Sequence, residues 1–89
     1  MKINVYPELP VLIVDDEEHF LNSAELILAS NGITNTRTCN NSKDALSLIE
    51  KEVFSLVTLD INMPYLSGTE LLTKIKESTP ETPVIMITA

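Results

Sequence analysis

Carboxylates follow two apolar segments of the chain. Asp15 and Asp16 come directly after the apolar run at 11–14, and Asp60 comes directly after the run at 53–59. Carboxylates held a few ångströms apart raise one another's pKa and destabilise a fold unless a cation or a proton intervenes. Ligand oxygens of this kind favour Mg²⁺, which keeps several waters and leaves coordination positions for a phosphoryl group. The three side chains are therefore candidate magnesium ligands.

Asp60 is the candidate nucleophile of this group. A carboxylate beside a divalent cation can form an acyl phosphate, a reaction in which positioning and charge neutralisation supply most of the rate. Asp60 stands alone after its segment, whereas Asp15 and Asp16 form a pair suited to holding the metal. Near the end of a third apolar segment, Thr88 could donate a hydrogen bond to a phosphoryl oxygen, and the small Ala89 would leave space beside it.

The order of the predicted elements explains how these residues could meet. Strands are predicted at 11–14, 33–39, 53–59 and 84–89, and helices at 17–30, 42–51 and 69–77. Alternation of strand and helix predicts a parallel sheet with helices on both faces and right-handed crossovers. Every strand of such a sheet carries its carboxyl end to the same edge, where ligands bind at a topological switch point. All the candidate residues fall at that edge.

The composition is that of a small acidic globular domain. The chain has 89 residues, 44% of them hydrophobic, and thirteen acidic against six basic residues give a net charge of -7. This charge would repel a nucleic-acid backbone or an anionic membrane surface. The single cysteine cannot form an internal disulfide, and no segment has the form of a signal peptide or a membrane span. We expect a leader at 1–8 and one cytoplasmic domain at 9–89, without direct nucleic-acid or membrane contacts.

Each candidate residue also has an ordinary explanation. Asp15 and Asp16 could simply cap a helix, Asp60 could be a turn residue that ends a strand, and Thr88 could be a plain strand residue. Their combination favours a functional site. A nucleotide hydrolase or a dinucleotide enzyme on a similar sheet is disfavoured, because the chain has only two glycines and contains neither glycine-rich phosphate-binding motif.

Taken together, these residues resemble the receiver domain of two-component response regulators. The resemblance runs from about Leu9 to the last residue. Its motifs are the acidic pair Asp15-Asp16, the segment Asp60-Ile61-Asn62-Met63-Pro64, Gly68 eight positions after the aspartate, and Thr88-Ala89. It implies a flavodoxin-like α/β fold whose strands here have the order 2-1-3-4. It also implies a signalling domain rather than an enzyme, one that at most assists its own phosphorylation and dephosphorylation.

The resemblance assigns roles to the site residues as well. Asp60 would be phosphorylated by a histidine kinase or a phosphotransfer protein. Mg²⁺ would be held by Asp15 or Asp16, by Asp60 and by the main-chain carbonyl of Asn62, and Thr88 would be the switch hydroxyl. Three further residues would shape the loop after the acceptor: Met63, Pro64 and Gly68.

The length of the chain is a departure from this family. Receiver domains continue into a fourth helix, a fifth strand whose lysine pairs with the phosphoryl group, and a fifth helix. We therefore expect a fragment of a longer parent that carries the missing C-terminal part and an output domain. Without a fifth strand, the run at 84–87 would be an uncharged sheet edge, and we expect self-association through it. The alternative function is a docking or structural module that takes up no phosphate.

Overall fold

A four-stranded parallel sheet forms the centre of the protein. The computed structural model describes residues 5–64 and 66–87. The strands are β1 (Val11–Val14), β2 (Thr36–Cys39), β3 (Leu56–Asp60) and β4 (Val84–Ile87), and the helices are α1 (Glu18–Ser30), α2 (Ser42–Lys51) and α3 (Gly68–Ser78). The strand order is β2-β1-β3-β4, and each neighbouring pair is parallel. The predicted flavodoxin-like architecture is therefore confirmed.

Strand β1 is central and buried on both faces. Leu12 and Val14 belong to the core cluster that α2 and α3 cover, whereas Val11 and Ile13 pack with Leu21 of α1. This alternation follows from the two-residue period of a strand, which directs successive side chains to opposite faces. A continuous apolar run is what a strand covered on both faces requires, and the run at 11–14 satisfies it.

The helices are distributed unequally over the two faces. Helix α1 lies on one face and fully buries only Leu21, while α2 and α3 lie side by side on the other. Helix α2 begins where the side chain of Asn41 accepts a hydrogen bond from the Asp44 amide at 2.8 Å. Helix α3 begins at a capping box in which Ser67 and Glu70 bond each other's backbone amides. None of the described helices combines the length and apolar composition needed to cross a membrane.

Two strands begin later than the sequence pattern predicts. Strand β2 starts at Thr36 instead of residue 33, because the amide of Ile33 donates to Leu28 at the end of α1 and thus belongs to the helix terminus. Strand β3 starts at Leu56 instead of residue 53 and includes Asp60, while Val53 is 62% exposed. The preference of β-branched residues for strands was therefore outweighed at Ile33 by a hydrogen bond of the helix terminus, and at Val53 by exposure to solvent.

The described residues before β1 lie against the loops at the opposite edge of the sheet from the strand carboxyl ends. The carbonyl of Tyr6 accepts hydrogen bonds from the amides of Thr34 and Asn35, at 2.8 and 3.0 Å. The carbonyl of Pro10 accepts one from the amide of Ser55 at 2.9 Å. These bonds tie the approach to β1 to the segments that lead into β2 and β3.

Candidate functional site

The register of the two central strands brings Asp15 and Asp60 together. Strand β1 pairs with β3 so that Val14 lies opposite Leu59, and the next residues of the two strands are Asp15 and Asp60. In the strand order β2-β1-β3-β4, the connection from β1 leads outward to β2, and the connection from β3 leads outward in the opposite direction to β4. The two aspartates therefore lie at the topological switch point, where open parallel sheets form their ligand-binding crevice.

Three carboxylates form one cluster at this point. One oxygen from each of Asp15, Asp16 and Asp60 lies within 4.8 Å of the others. Asp15 and Asp60 are buried, at 7% and 9% exposure, whereas Asp16 is exposed. The structure thus brings together the three aspartates predicted to be metal ligands, and it leaves one side of the cluster open to solvent.

Backbone amides orient the two buried carboxylates in the same way. The amide of Glu17 donates to Asp15 Oδ1 at 2.9 Å, and the amide of Asn62 donates to Asp60 Oδ1 at 3.1 Å. Each bond joins a carboxylate to the amide two residues further along the chain, as in an Asx turn. One oxygen of each side chain is thereby fixed. Within 5–64 and 66–87, no hydrogen bond engages the second oxygen of either carboxylate.

The electrostatics of the cluster are unfavourable. Burial is the largest cause that raises the pKa of Asp15 above its ordinary value, and the negative charges of Asp60, Asp16 and Glu17 raise it further. The hydrogen bond from the Glu17 amide acts in the opposite direction. In the described parts of the chain, the one ion pair joins Arg37 and Glu52, and neither residue belongs to the cluster. A cation is the ligand that would relieve this repulsion.

The loop after Asp60 is fixed at both ends. The amide of Ile61 donates to the carbonyl of Ile87 at 3.1 Å, and the amide of Gly68 donates to the carbonyl of Ile61 at 3.0 Å. Between them, the side chain of Met63 is buried in the core that α2 and α3 cover, and Pro64 is exposed. The loop therefore returns to the end of β3, and α3 starts beside the acidic cluster.

Of the remaining predicted site residues, Thr88 and Ala89 lie outside the described residues. The Asn62 backbone adjoins Asp60, and its side chain is exposed. The one histidine of the chain, His19, is exposed. Cys39 is buried, its thiol donates to the carbonyl of Asn41 at 3.1 Å, and burial raises its pKa.

Sequence reasoning missed the two amides that orient the carboxylates. The amides of Glu17 and Asn62 take part through the main chain, so their residue types carry no chemical signal. The only indication was position, since each lies two residues after an aspartate at the end of a strand. Aspartate side chains commonly bond the backbone at that separation.

The fold and the cluster define an α/β domain with an acidic site at its switch point. The family model described as the response regulator receiver domain matches residues 11–89. The chain therefore belongs to the family of response regulator receiver domains.

Relatives and solved structures agree with this assignment. The response regulator protein PilR of Pseudomonas aeruginosa is 40% identical over 78 residues, which cover 88% of this chain and 17% of PilR. A CheY-like receiver domain protein from Methanospirillum hungatei JF-1 has a TM-score of 0.85 and 36% identity, covering 90% of this chain and 63% of that one. A chain in the structure of histidine kinase ThkA with response regulator protein TrrA has a TM-score of 0.84 and 31% identity, covering 91% and 69%. This chain thus spans only part of the length of these proteins.

Proposed function

We propose that this domain is a phosphoacceptor in two-component signalling, in which Asp60 receives a phosphoryl group from a phosphohistidine. The donor would be a histidine kinase or a phosphotransfer protein. The observation that supports this most strongly is the meeting of three carboxylate oxygens within 4.8 Å at the switch point. Such a cluster, with no cationic side chain paired to it in the described structure, is suited to a divalent ion and a phosphoryl group.

The residues present fit Mg²⁺. Its ligands would be the carboxylates of Asp15, Asp16 and Asp60 with the main-chain carbonyl of Asn62. All of these donors are oxygens, which hard cations prefer, and the exposed side of the cluster leaves room for waters. When bound, the ion would neutralise charge on the phosphoryl oxygens and permit an anionic nucleophile to approach them.

The orientation of Asp60 suits it to the role of nucleophile. Its Oδ1 is held by the amide of Asn62, which leaves Oδ2 to attack phosphorus. The new P–O bond forms as the P–N bond of the phosphohistidine breaks, and the electron pair of that bond remains on the imidazole nitrogen. In this proposal the hydroxyl of Thr88 donates a hydrogen bond to a phosphoryl oxygen, and Ala89 leaves space for it. Met63, Pro64 and Gly68 hold the shape of the loop.

The proposed partner is a histidine kinase. The complex of ThkA with TrrA includes both types of protein, and a chain of that structure is similar to this one in fold and sequence. A domain that receives a phosphoryl group on its own side chain is a signalling component rather than an enzyme with a separate substrate. We propose that it acts in the cytoplasm and passes its signal to an output domain.

Intact-mass analysis tests the proposal. The protein is incubated with acetyl phosphate and Mg²⁺, beside Asp60→Asn as the matched control that keeps the side-chain shape. We expect the wild type to gain the mass of one phosphoryl group, which hydroxylamine removes, and Asp60→Asn to gain none. An adduct on both proteins, or an adduct that hydroxylamine leaves intact, would refute phosphorylation of Asp60. The absence of any adduct would exclude acyl-phosphate formation by this chain.

A second candidate function is a docking module that associates with another copy through β4. In the described part of the sheet, β4 pairs with β3 alone, so its other edge has unpaired backbone groups. The strand carries no charged residue, and Ile85 is 52% exposed. Uncharged edges of this kind pair with other strands.

A further inference from the structure

Gly68 lies directly against the backbone that carries Asp60. It is buried and is the first residue of α3. A Cβ atom added to it would lie 2.8 Å from the Cα of Ile61 and 3.1 Å from the carbonyl carbon of Asp60, and closer still to the carbonyl oxygen of Asp60. These neighbours are main-chain atoms, so no rotation of a side chain would relieve the overlap. Only glycine allows α3 to approach the end of β3 this closely.

The surrounding contacts leave this junction little freedom. On one side, the amide of Gly68 donates to the carbonyl of Ile61 at 3.0 Å. On the other side, the amide of Ile61 donates to the carbonyl of Ile87 in β4 at 3.1 Å. The capping box adds bonds from the Glu70 amide to Ser67 Oγ at 3.3 Å and from the Ser67 amide to Glu70 Oε1 at 3.4 Å. The end of β3 is thus held between β4 and the first turn of α3.

A displacement of this backbone would reach the acidic cluster directly. Asp60 contributes its side chain to the cluster and its carbonyl to the contact with Gly68. The amide of Asn62, two residues further on, holds Asp60 Oδ1. Movement of the segment at 60–62 would therefore change both the position of the carboxylate and the bond that orients it. Sites that bind a metal or a phosphoryl group lose function when a ligand side chain moves by about 1 Å.

We infer that Gly68 is a positioning residue for Asp60: the missing side chain lets α3 hold the Asp60 carboxylate in reach of Asp15 and Asp16. The part of this inference that concerns Mg²⁺ rests on the proposed function. This coupling is reciprocal: if the packing of Gly68 against Asp60 strengthens Mg²⁺ binding, then Mg²⁺ binding stabilises that packing by the same free energy. An ion that fixes Asp60 therefore also protects the hydrogen bond from Gly68 to Ile61, and slows exchange of the Gly68 amide.

The second glycine of the chain provides a matched control. Gly32 has a φ of 87°, and nothing lies within 4 Å of a Cβ atom added there. Gly32→Ala therefore strains the backbone at the end of α1 and lowers stability without touching the acidic cluster. Gly68→Ala also lowers stability, but it does so at the cluster. A comparison of the two separates positioning from a general loss of stability.

Amide hydrogen exchange in the metal-free protein is the first measurement. We expect exchange of the Asn62 amide, which reports the bond to Asp60 Oδ1, to be at least tenfold faster in Gly68→Ala than in wild type. In Gly32→Ala, exchange of the Asn62 amide should not change relative to exchange of the other amides in the loop after Asp60. Equal exchange at Asn62 in wild type and Gly68→Ala would overturn the inference. If Gly68→Ala does not fold, Ser67→Ala loosens the same junction without added atoms, and unchanged Asn62 exchange there would overturn it too.

Mg²⁺ titration of the same three proteins is the second measurement. We expect Gly68→Ala to bind Mg²⁺ at least tenfold more weakly than wild type, and Gly32→Ala to bind within about twofold of wild type. Equal affinities for wild type and Gly68→Ala would overturn the role of Gly68 in the metal site. If wild type binds no Mg²⁺ while Gly68→Ala still accelerates Asn62 exchange, the proposed function fails and the positioning role of Gly68 stands.

Discussion

Asp15 and Asp60 occupy equivalent positions at the ends of adjacent parallel strands, and each is held by the backbone amide two residues further on. The distances from amide nitrogen to Oδ1 are 2.9 and 3.1 Å. Both side chains are therefore oriented before any ligand arrives. The repulsion between them is a property of the fold, and under the proposed function a bound divalent cation would relieve it.

We expect the buried negative charge of Asp15 to lower the stability of the metal-free protein. Asp15→Asn keeps the shape of the side chain and an oxygen that can accept from the Glu17 amide, but it removes a buried charge. We expect its metal-free melting temperature at neutral pH to be a few degrees above that of wild type, because burial and neighbouring acids disfavour the charged form of Asp15. Mg²⁺ should raise the melting temperature of wild type but not of the variant. Glu50→Gln, a charge removal at an exposed position of α2, is the control and should respond to Mg²⁺ like wild type.

The difference in stability between Asp15→Asn and wild type should depend on pH, and the raised pKa of Asp15 sets the direction. The pKa of Asp15 is raised in the folded protein above its ordinary value of 3.8, so between those two values the folded state binds more protons than the unfolded state. Stability from this group is therefore lost as pH rises through the window. The advantage of Asp15→Asn over wild type should be absent below the window, grow across it and stay constant above it. A difference that shrinks with rising pH would contradict the raised pKa.

The second prediction tests how α1 is attached to the sheet. Leu21 is 2% exposed and is the buried residue of this helix, whereas Leu26 is 70% exposed. We expect Leu21→Ala to lower the free energy of unfolding by about 3 kcal/mol, since it leaves a cavity in the core. Leu26→Ala removes the same atoms from solvent-exposed surface and should change it by less than about 0.5 kcal/mol. Denaturant unfolding measures both, and equal losses would show that α1 does not pack as described.

Much of the fold follows from the sequence, but the contacts within the site do not. The apolar run before Asp15 and the alternation of elements predicted a parallel sheet with its acids at one edge. Neither pattern states that β1 and β3 are neighbours, and the order 2-1-3-4 came from the family resemblance. The contact of Gly68 with Asp60 and the amide bonds to the carboxylates depend on backbone positions, which side-chain patterns do not encode. For the same reason, the start of β2 was misplaced where Ile33 bonds back to α1.

The third prediction addresses the edge of β4. If copies of the chain associate there, Ile85→Lys should shift the protein to a monomer in sedimentation velocity, because charge on an edge strand opposes pairing. Leu26→Lys is the matched control, as it places the same charge at an exposed apolar position of α1. It should associate like wild type. A wild type that is monomeric at all concentrations, or an Ile85→Lys variant that associates like wild type, would exclude β4 as the interface.

A Mg²⁺ titration followed by backbone amide chemical shifts shows whether the three aspartates form one binding site for a divalent cation. We expect one saturable transition that shifts the amides of Asp15, Asp16 and Asp60 together and is lost in Asp60→Asn. Shifts confined to other acidic residues, or no saturable shift at the three aspartates, would contradict it.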